Sequence, residues 1–115
     1  MHADVQFRLR IRRGGEIVIG PGKIALLEAI DSSGSIAAAA RTLDMSYRRA
    51  WLLIDQMNRG LRAPVIEARS GGARGGGALL TAAAHGIIRR YRTIERLAQA
   101  AAADELAALA RLLKE

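Results

Sequence analysis

The sequence has 115 residues, which suits one ordinary domain and is too short for two. Its 18 lysines and arginines outnumber 11 acidic residues, which gives a net charge of +7, and all but two of these cations are arginines. This excess of arginine favours a nucleic acid as partner. The alternative is a basic surface that serves only solubility. The lack of cysteine excludes disulfides, zinc-thiolate sites and thiol nucleophiles, and without a signal pattern or an apolar run of about 20 residues we expect a cytoplasmic protein with no membrane contact.

The N-terminal residues are expected to form strands. Apolar and polar side chains alternate over residues 5–11, which predicts a half-buried strand. Arg13-Gly14-Gly15 supplies a turn, and residues 16–19 can return as a short partner strand. We expect the first strand to pair as well with a later hairpin or with a partner chain.

Three helices are predicted in the next forty residues. Apolar residues at helical spacing begin near residue 24, and the first helix should stop near Ser32-Ser33-Gly34. Ser35 is a good cap for an alanine-rich second helix over residues 36–43. Asp44 suits a tight turn with left-handed backbone angles, and Ser46 can cap a third helix that Gly60 should stop.

The second and third helices carry small or apolar side chains where they would cross. The predicted inward positions are Ala39, Ala40, Leu43, Met45, Ala50, Leu53, Ile54 and Met57. Alanines let two helices approach closely at the roughly 90–120° crossing of a helix-turn-helix. An alanine-rich bundle without a ligand is the alternative, but it would need no cations on the outer face of the third helix, where Arg48 and Arg49 lie.

A glycine-rich hairpin and a long helix complete the chain. Residues 64–69 and 78–80 are predicted strands, and the intervening residues 70–77 contain five glycines, which predicts a slim, flexible loop. Thr81 can cap a final helix; if it runs to Lys114 it would be about 50 Å long at ~1.5 Å per residue, and its apolar stripe should then meet a second copy of the chain. A break at Asp104-Glu105 is the alternative.

These elements predict a mainly helical fold with small β-hairpins, in the order of a winged helix-turn-helix. We expect residues 1–80 to form the DNA-binding domain and residues 81–115 a linker or dimerisation helix. In this motif the N-terminus of the third helix enters the major groove. Arg48 and Arg49 could then contact a guanine edge and a phosphate in either assignment, while Ser46 and Tyr47 could donate to phosphates or bases. Ser46 could equally be only a cap.

Other candidate positions have two interpretations each. Trp51 could pack in the core and orient the third helix, which we favour, or lie along the DNA backbone. Arg74, at the tip of the glycine-rich hairpin, could reach a phosphate or the minor groove, or be a solvated charge. Lys23 and the arginines of the final helix could also touch DNA, although we expect most of these arginines to form the solvated face of the dimer helix. No nucleophile, base and orienting group form a set, and His2 and His85 lack partners at metal-ligand spacing, so we expect no enzyme, metal or cofactor.

Several of these stretches match a known family. Gly34-Ser35-Ile36, the run MSYRRAW from Met45 to Trp51, Met57-Asn58 and the run GGARGGGALLT ending at Thr81 resemble the DNA-binding domain of the molybdate-dependent ModE regulators and, more distantly, the LysR-type domains. The resemblance implies a homodimer that binds a palindromic operator in double-stranded DNA. In that family molybdate is held by C-terminal domains, for which this sequence leaves no room, so we expect either signal-independent binding or a separate effector-sensing protein.

The leading interpretation is a sequence-specific, dimeric transcription regulator. One alternative is a protein-interaction module in which the hairpin and the basic helix dock an acidic partner such as a sensor chain. Another is non-specific packaging of nucleic acid, which predicts steep salt dependence with little sequence preference.

Overall fold

The computed structural model describes residues 4–72 and 75–114, and within them the chain forms two antiparallel hairpins and five helices. In chain order the elements are β1 (Ile11–Arg13), β2 (Glu16–Ile19), α1 (Pro21–Ser33), α2 (Ile36–Thr42), α3 (Tyr47–Gly60), β3 (Ile66–Gly72), β4 (Gly75–Leu80), α4 (Ala82–Ala101) and α5 (Ala103–Ala110). The predicted winged helix-turn-helix is confirmed, with β3 and β4 as the wing.

The core lies between α1, α2, α3 and the wing. Its largest fully buried side chains are Ile24, Leu26, Leu27, Ile30, Ile54, Met57 and Val65. The predicted inward positions on α2 and α3 are confirmed, since all of them are buried or pack against the buried cluster. The cluster joins three helices that are individually short, so tertiary packing supplies most of their stability.

The ends of the helices follow local sequence signals. Each of the predicted caps Ser35, Ser46 and Thr81 accepts a hydrogen bond on its side-chain oxygen from the backbone N–H three residues later, at 3.0 or 3.1 Å. Asp44 has φ 55°, the left-handed angle predicted for the turn between α2 and α3. These capping bonds satisfy backbone donors that the first turn of a helix leaves free.

The predicted strand over residues 5–11 is wrong in its extent. Val5, Phe7 and Leu9 are half-buried and alternate with exposed residues, as predicted, but residues 4–10 belong to no strand. This segment lies along α4: the Tyr91 hydroxyl donates to the Leu9 carbonyl oxygen at 2.9 Å, and the Gln99 amide donates to the Val5 carbonyl oxygen at 3.3 Å. Side chains of α4 bind the backbone carbonyls that a neighbouring strand would otherwise bind. In the described residues this segment therefore does not form the expected pairing with the wing.

The N-terminal hairpin, β1 with β2, packs against α3 at Gly60. A Cβ atom built on Gly60 would lie 2.5 and 2.7 Å from the two γ-carbons of Val18. The third helix was expected to run to about Asn58 or Arg59 with Gly60 as its stop signal, but α3 includes Gly60. Among the described residues, left-handed glycines stand at positions 14, 15 and 34, not at 60. Gly60 is needed for the close approach of Val18.

The wing and the C-terminal helices differ from prediction in length. Strands β3 and β4 extend into the glycine run, with Gly72 opposite Gly75, because hairpin pairing outweighs the low strand propensity of glycine. The long final helix is broken, with Ala102 between α4 and α5. Asp104 does not cap α5; it lies with Glu105 in the first turn, where the helix dipole favours negative charge. Among the described helices, none has the length and apolar character needed to cross a membrane.

Candidate nucleic-acid interface

The outer face of α3 is open along its whole length. One side of the helix is buried through Ala50, Leu53, Ile54 and Met57. The opposite side carries the exposed residues Tyr47, Arg48, Trp51, Leu52, Asp55 and Arg59. The turn before α3 is fixed by a hydrogen bond from the Met45 N–H to the Ala40 carbonyl oxygen at 2.9 Å, so α2 holds α3 with this face outward.

The first turn of α3 combines backbone donors with two cations. Ser46 caps the helix by accepting from the Arg49 N–H at 3.0 Å, and its hydroxyl hydrogen is still able to donate. Arg48 and Arg49 are exposed, and the first turn holds no acidic residue. A helix N-terminus and two guanidinium groups together favour an anion at this position. The structure therefore brings together Ser46, Tyr47, Arg48 and Arg49 as the sequence predicted.

Trp51 lies outside the core, so the favoured packing interpretation is wrong. Its side chain is 43% exposed and Tyr47 is 54% exposed. The two rings meet edge to face, with centroids 6.4 Å apart and planes 75° apart. The position is four residues after Tyr47, and one helical turn places both rings on the same outer face. The pair forms an exposed aromatic surface beside the two arginines.

Leu52 was missed among the candidate residues. It is 45% exposed on the same face as Arg48, four residues earlier in the helix. An exposed leucine can contact the methyl group of thymine in a major groove. The spacing from Arg48 is the sequence signal that could have identified it.

The wing is fixed to the helical core at its base. The Asn58 side-chain oxygen accepts from the Val65 N–H at 2.9 Å, and the Thr81 hydroxyl donates to the Pro64 carbonyl oxygen at 2.7 Å. The first bond ties the residue before β3 to α3, and the second ties Pro64 to the N-cap of α4. Arg74, the candidate at the tip, lies outside the described residues, so its role stays a prediction.

Two other suggested cations are engaged elsewhere. Lys23 is buried, and its ammonium donates to the Ile17 carbonyl oxygen at 2.7 Å; burial lowers the pKa of this group, Glu16 opposes the shift and Arg49 adds to it. Arg92 binds the carboxylates of Glu28 and Glu95, and these hydrogen bonds raise its pKa. Both side chains therefore stabilise the fold and are poorly placed to bind phosphate.

Acidic residues and histidines do not gather into a metal site in the part of the chain that the structure describes: no group of three or more such ligands lies within reach of one ion. The candidate interface consists of the cations, aromatic rings and backbone donors of α3.

Comparison with known proteins gives consistent matches. The sequence profile of the bacterial regulatory helix-turn-helix proteins of the lysR family matches residues 22–85, from α1 to the start of α4. The molybdenum-pterin-binding protein MopB of Rhodobacter capsulatus is 48% identical over 77 residues, which are 67% of this chain and 28% of MopB. The DNA-binding transcriptional dual regulator ModE of Escherichia coli is 33% identical over 101 residues, 88% of this chain and 38% of ModE. The chain thus spans about a third of the length of these relatives.

A solved structure shares the fold. The crystal structure of the CbnR_DBD-DNA complex superposes with a TM-score of 0.57 at 26% identity, covering 76% of this chain and 95% of that chain. The shared region includes the helix-turn-helix, so the elements that carry the candidate interface occur in a protein crystallised with DNA.

Proposed function

The chain belongs to the bacterial regulatory helix-turn-helix proteins of the lysR family, and on this premise we propose that it is a transcription regulator that binds double-stranded DNA sequence-specifically. It acts by binding rather than by catalysis, in the cytoplasm, where the chromosome is accessible. The observation that carries the proposal is the open face of α3, which starts with a capped, cationic first turn and continues with exposed aromatic and apolar side chains.

The N-terminal half of α3 enters the major groove. A helix with its side chains is about 10–12 Å wide and the groove is about 12 Å wide, so α3 fits with its outer face toward the base edges. Arg48 or Arg49 binds guanine O6 and N7 while the other binds phosphate, and the Tyr47 hydroxyl donates to the backbone. Trp51 and Leu52 supply apolar contact beside them. Arg74 in the wing reaches an adjacent phosphate or the minor groove.

The chain acts as a homodimer through residues 81–115, while residues 1–80 form the DNA-binding domain. Large apolar side chains stay exposed at the C-terminal end, at Ile94, Leu97, Leu109, Leu112 and Leu113. The radius of gyration is 17.0 Å, against about 13 Å for a compact domain of this size, because α4 and α5 extend from the core. Pairing of these helices covers the leucines and presents two α3 helices to successive major grooves about 34 Å apart.

DNA recognition is tested by selecting binding sites from a random duplex library and titrating the selected duplex against a scrambled one. We expect a two-fold symmetric consensus that binds at least ~10³ times more tightly than the scramble. Arg49→Ala and Arg48→Ala separate base reading from phosphate binding. Loss of a base contact costs about 1–3 kcal/mol at particular base positions, whereas loss of a phosphate contact weakens all sequences alike.

A matched control and two contrary outcomes complete this test. Arg8→Ala removes an exposed cation that lies outside α3, the wing and residues 81–115, and should leave the consensus unchanged. Binding that depends on salt alone would replace the proposal with non-specific packaging. No binding to any duplex would point to the protein-interaction alternative, with an acidic partner docked on the same basic surface.

The dimer is tested separately by sedimentation velocity. Leu97→Asp and Leu109→Asp place charges on the exposed apolar surface and should shift the protein to monomers and weaken operator binding. Leu79→Asp, on an exposed leucine of the wing, is the matched control for the sedimentation measurement. A wild-type chain that sediments as a monomer at operator-binding concentrations would rule out the homodimer. A separate effector-sensing protein stays a prediction.

A further inference from the structure

The N-terminal hairpin, residues 11–19, lies beside the proposed recognition helix and outside the part of the chain that the family profile matches. The profile begins at residue 22, whereas the hairpin of β1 and β2 ends at Ile19. The hairpin is nevertheless an integral part of the domain, because β2 packs directly on α3 through the contact between Val18 and Gly60.

Two arginines of this hairpin flank the side of α3. Arg12 lines a surface cleft together with Arg49 and Gln56 of α3. Arg13 lines the neighbouring cleft together with Arg59 at the C-terminal end of the helix. Both arginines of the hairpin therefore lie alongside the recognition helix, and Arg12 lies next to Arg49, one of its two leading cations.

The hairpin holds these arginines in a defined position. Arg13 pairs with Glu16, so Gly14 and Gly15 alone form the turn, with φ 58° and 85°. Two positive φ angles are typical of the type I′ turn, which matches the twist of the flanking strands. The buried Lys23 ammonium binds the Ile17 carbonyl oxygen at 2.7 Å and ties β2 to α1. The turn thus projects from a base that is anchored on two helices.

Glu16 lines both clefts but, among the described residues, forms no salt bridge with Arg12 or Arg13. Both residues are exposed, and among the described residues no carboxylate lies within salt-bridge distance of either one. The one acidic residue of the hairpin, Glu16, is 3.8 Å from Arg59, which also binds Asp55 at 3.2 Å. The carboxylates of Glu16 and Asp55 thus form their salt bridges with Arg59.

We propose that the N-terminal hairpin is a second DNA-contacting element, in which Arg12 and Arg13 bind backbone phosphates at the edge of the groove that α3 occupies. The inference rests on the proposed function. A helix about 10–12 Å wide nearly fills a groove about 12 Å wide, so a cation beside the helix meets the groove wall, which is made of phosphates, and not the base edges. The hairpin therefore adds affinity and orientation, while sequence is read by α3.

The salt dependence of binding gives the expected effect. Each neutralised phosphate contributes about 0.9 to the slope of log affinity against log salt concentration on B-DNA. Loss of two contacts should reduce the slope by about 1.8, and at ~0.15 M salt this corresponds to roughly 30-fold weaker binding. The loss should be similar for the selected and scrambled duplexes, because phosphates carry no sequence information.

The experiment is fluorescence anisotropy of the full chain on both duplexes over a range of salt concentrations. The test variant is Arg12→Ala/Arg13→Ala, and Arg12→Lys/Arg13→Lys retains the charges. Arg8→Ala/Arg62→Ala removes the same number of exposed cations from outside α3, the hairpin and residues 81–115. Circular dichroism checks that each variant is folded.

The inference is supported if only the Arg12→Ala/Arg13→Ala chain shows the lower slope and a uniform loss of affinity, with the lysine variant close to wild type. An unchanged slope in a folded variant would overturn it while the proposed function stands. A loss confined to the selected duplex would overturn the phosphate assignment, because the hairpin would then be reading bases. If the wild-type chain binds neither duplex, the proposed function itself fails.

Discussion

Replacement of Gly60 by alanine should destabilise the fold through a steric conflict with Val18. The new Cβ would lie 2.5 and 2.7 Å from the γ-carbons of Val18 and 3.2 Å from its Cβ, all tighter than ordinary carbon contacts. Val18 is buried and β-branched, so it has little freedom to turn away. The hairpin or the end of α3 must therefore move.

The expected cost is the difference between two effects. Overpacking a well-packed site costs about 1–3 kcal/mol, while alanine is favoured over glycine in a helix by roughly 0.5–1 kcal/mol. The net loss should be about 0.5–2 kcal/mol, which lowers the melting temperature by roughly 2–8 °C at about 4 °C per kcal/mol for this size. In a Val18→Ala background the contacts at 2.5 and 2.7 Å disappear and only the 3.2 Å contact with the Cβ remains, so Gly60→Ala should be close to neutral.

A double-mutant cycle in urea, followed by circular dichroism, measures this coupling. Gly22→Ala serves as the control, because a Cβ at Gly22 of α1 would meet nothing within 4 Å. We expect a coupling of at least ~1 kcal/mol between positions 18 and 60, above the roughly 0.5 kcal/mol within which independent sites add. Equal effects of Gly60→Ala in both backgrounds would refute the steric explanation.

Two further predictions concern the contacts of α4. Thr81→Val keeps the shape of the side chain but removes the cap of α4 and the bond to Pro64. The free energy of unfolding, measured by urea titration, should therefore fall by about 1–3 kcal/mol. A loss below ~0.5 kcal/mol would contradict the role of this hydroxyl. Burial chiefly raises the pKa of the Tyr91 phenol, and Glu95 adds to the shift. The neutral phenol therefore stabilises the folded state fully below the unfolded pKa near 10, and this contribution to the free energy of unfolding is lost as the pH rises through the folded pKa. Stability above pH ~10 should therefore fall more steeply in the wild type than in Tyr91→Phe, and parallel pH profiles would contradict this.

The features predicted well from the sequence depend on neighbouring residues. Ser35, Ser46 and Thr81 cap helices through atoms three residues away, and Asp44 adopts its turn angle for local reasons. The inward faces of α2 and α3 follow from helical spacing. The roles of individual side chains in DNA binding remain predictions.

The features predicted poorly depend on distant partners. The partner of the segment before β1 is α4, whose Tyr91 lies 82 residues from Leu9, and no local pattern indicates such a pairing. The reason for Gly60 becomes visible only when Val18 is placed against it. Trp51 was expected to pack in the core and orient the third helix, but the buried face of α3 is already filled by smaller side chains, and Trp51 lies on the other face.

The attachment of residues 4–10 to α4 has a consequence for the order of folding. The hydrogen bond between Tyr91 and Leu9 closes a loop of 82 residues, which costs roughly 4 kcal/mol of chain entropy if the intervening residues are still disordered. We expect this contact to form after the helix-turn-helix has shortened the effective loop, and to open first under native conditions. Native-state hydrogen exchange should then show the C-terminal half of α4 opening as a separate cooperative unit of low stability, and exchange at the global rate would contradict this.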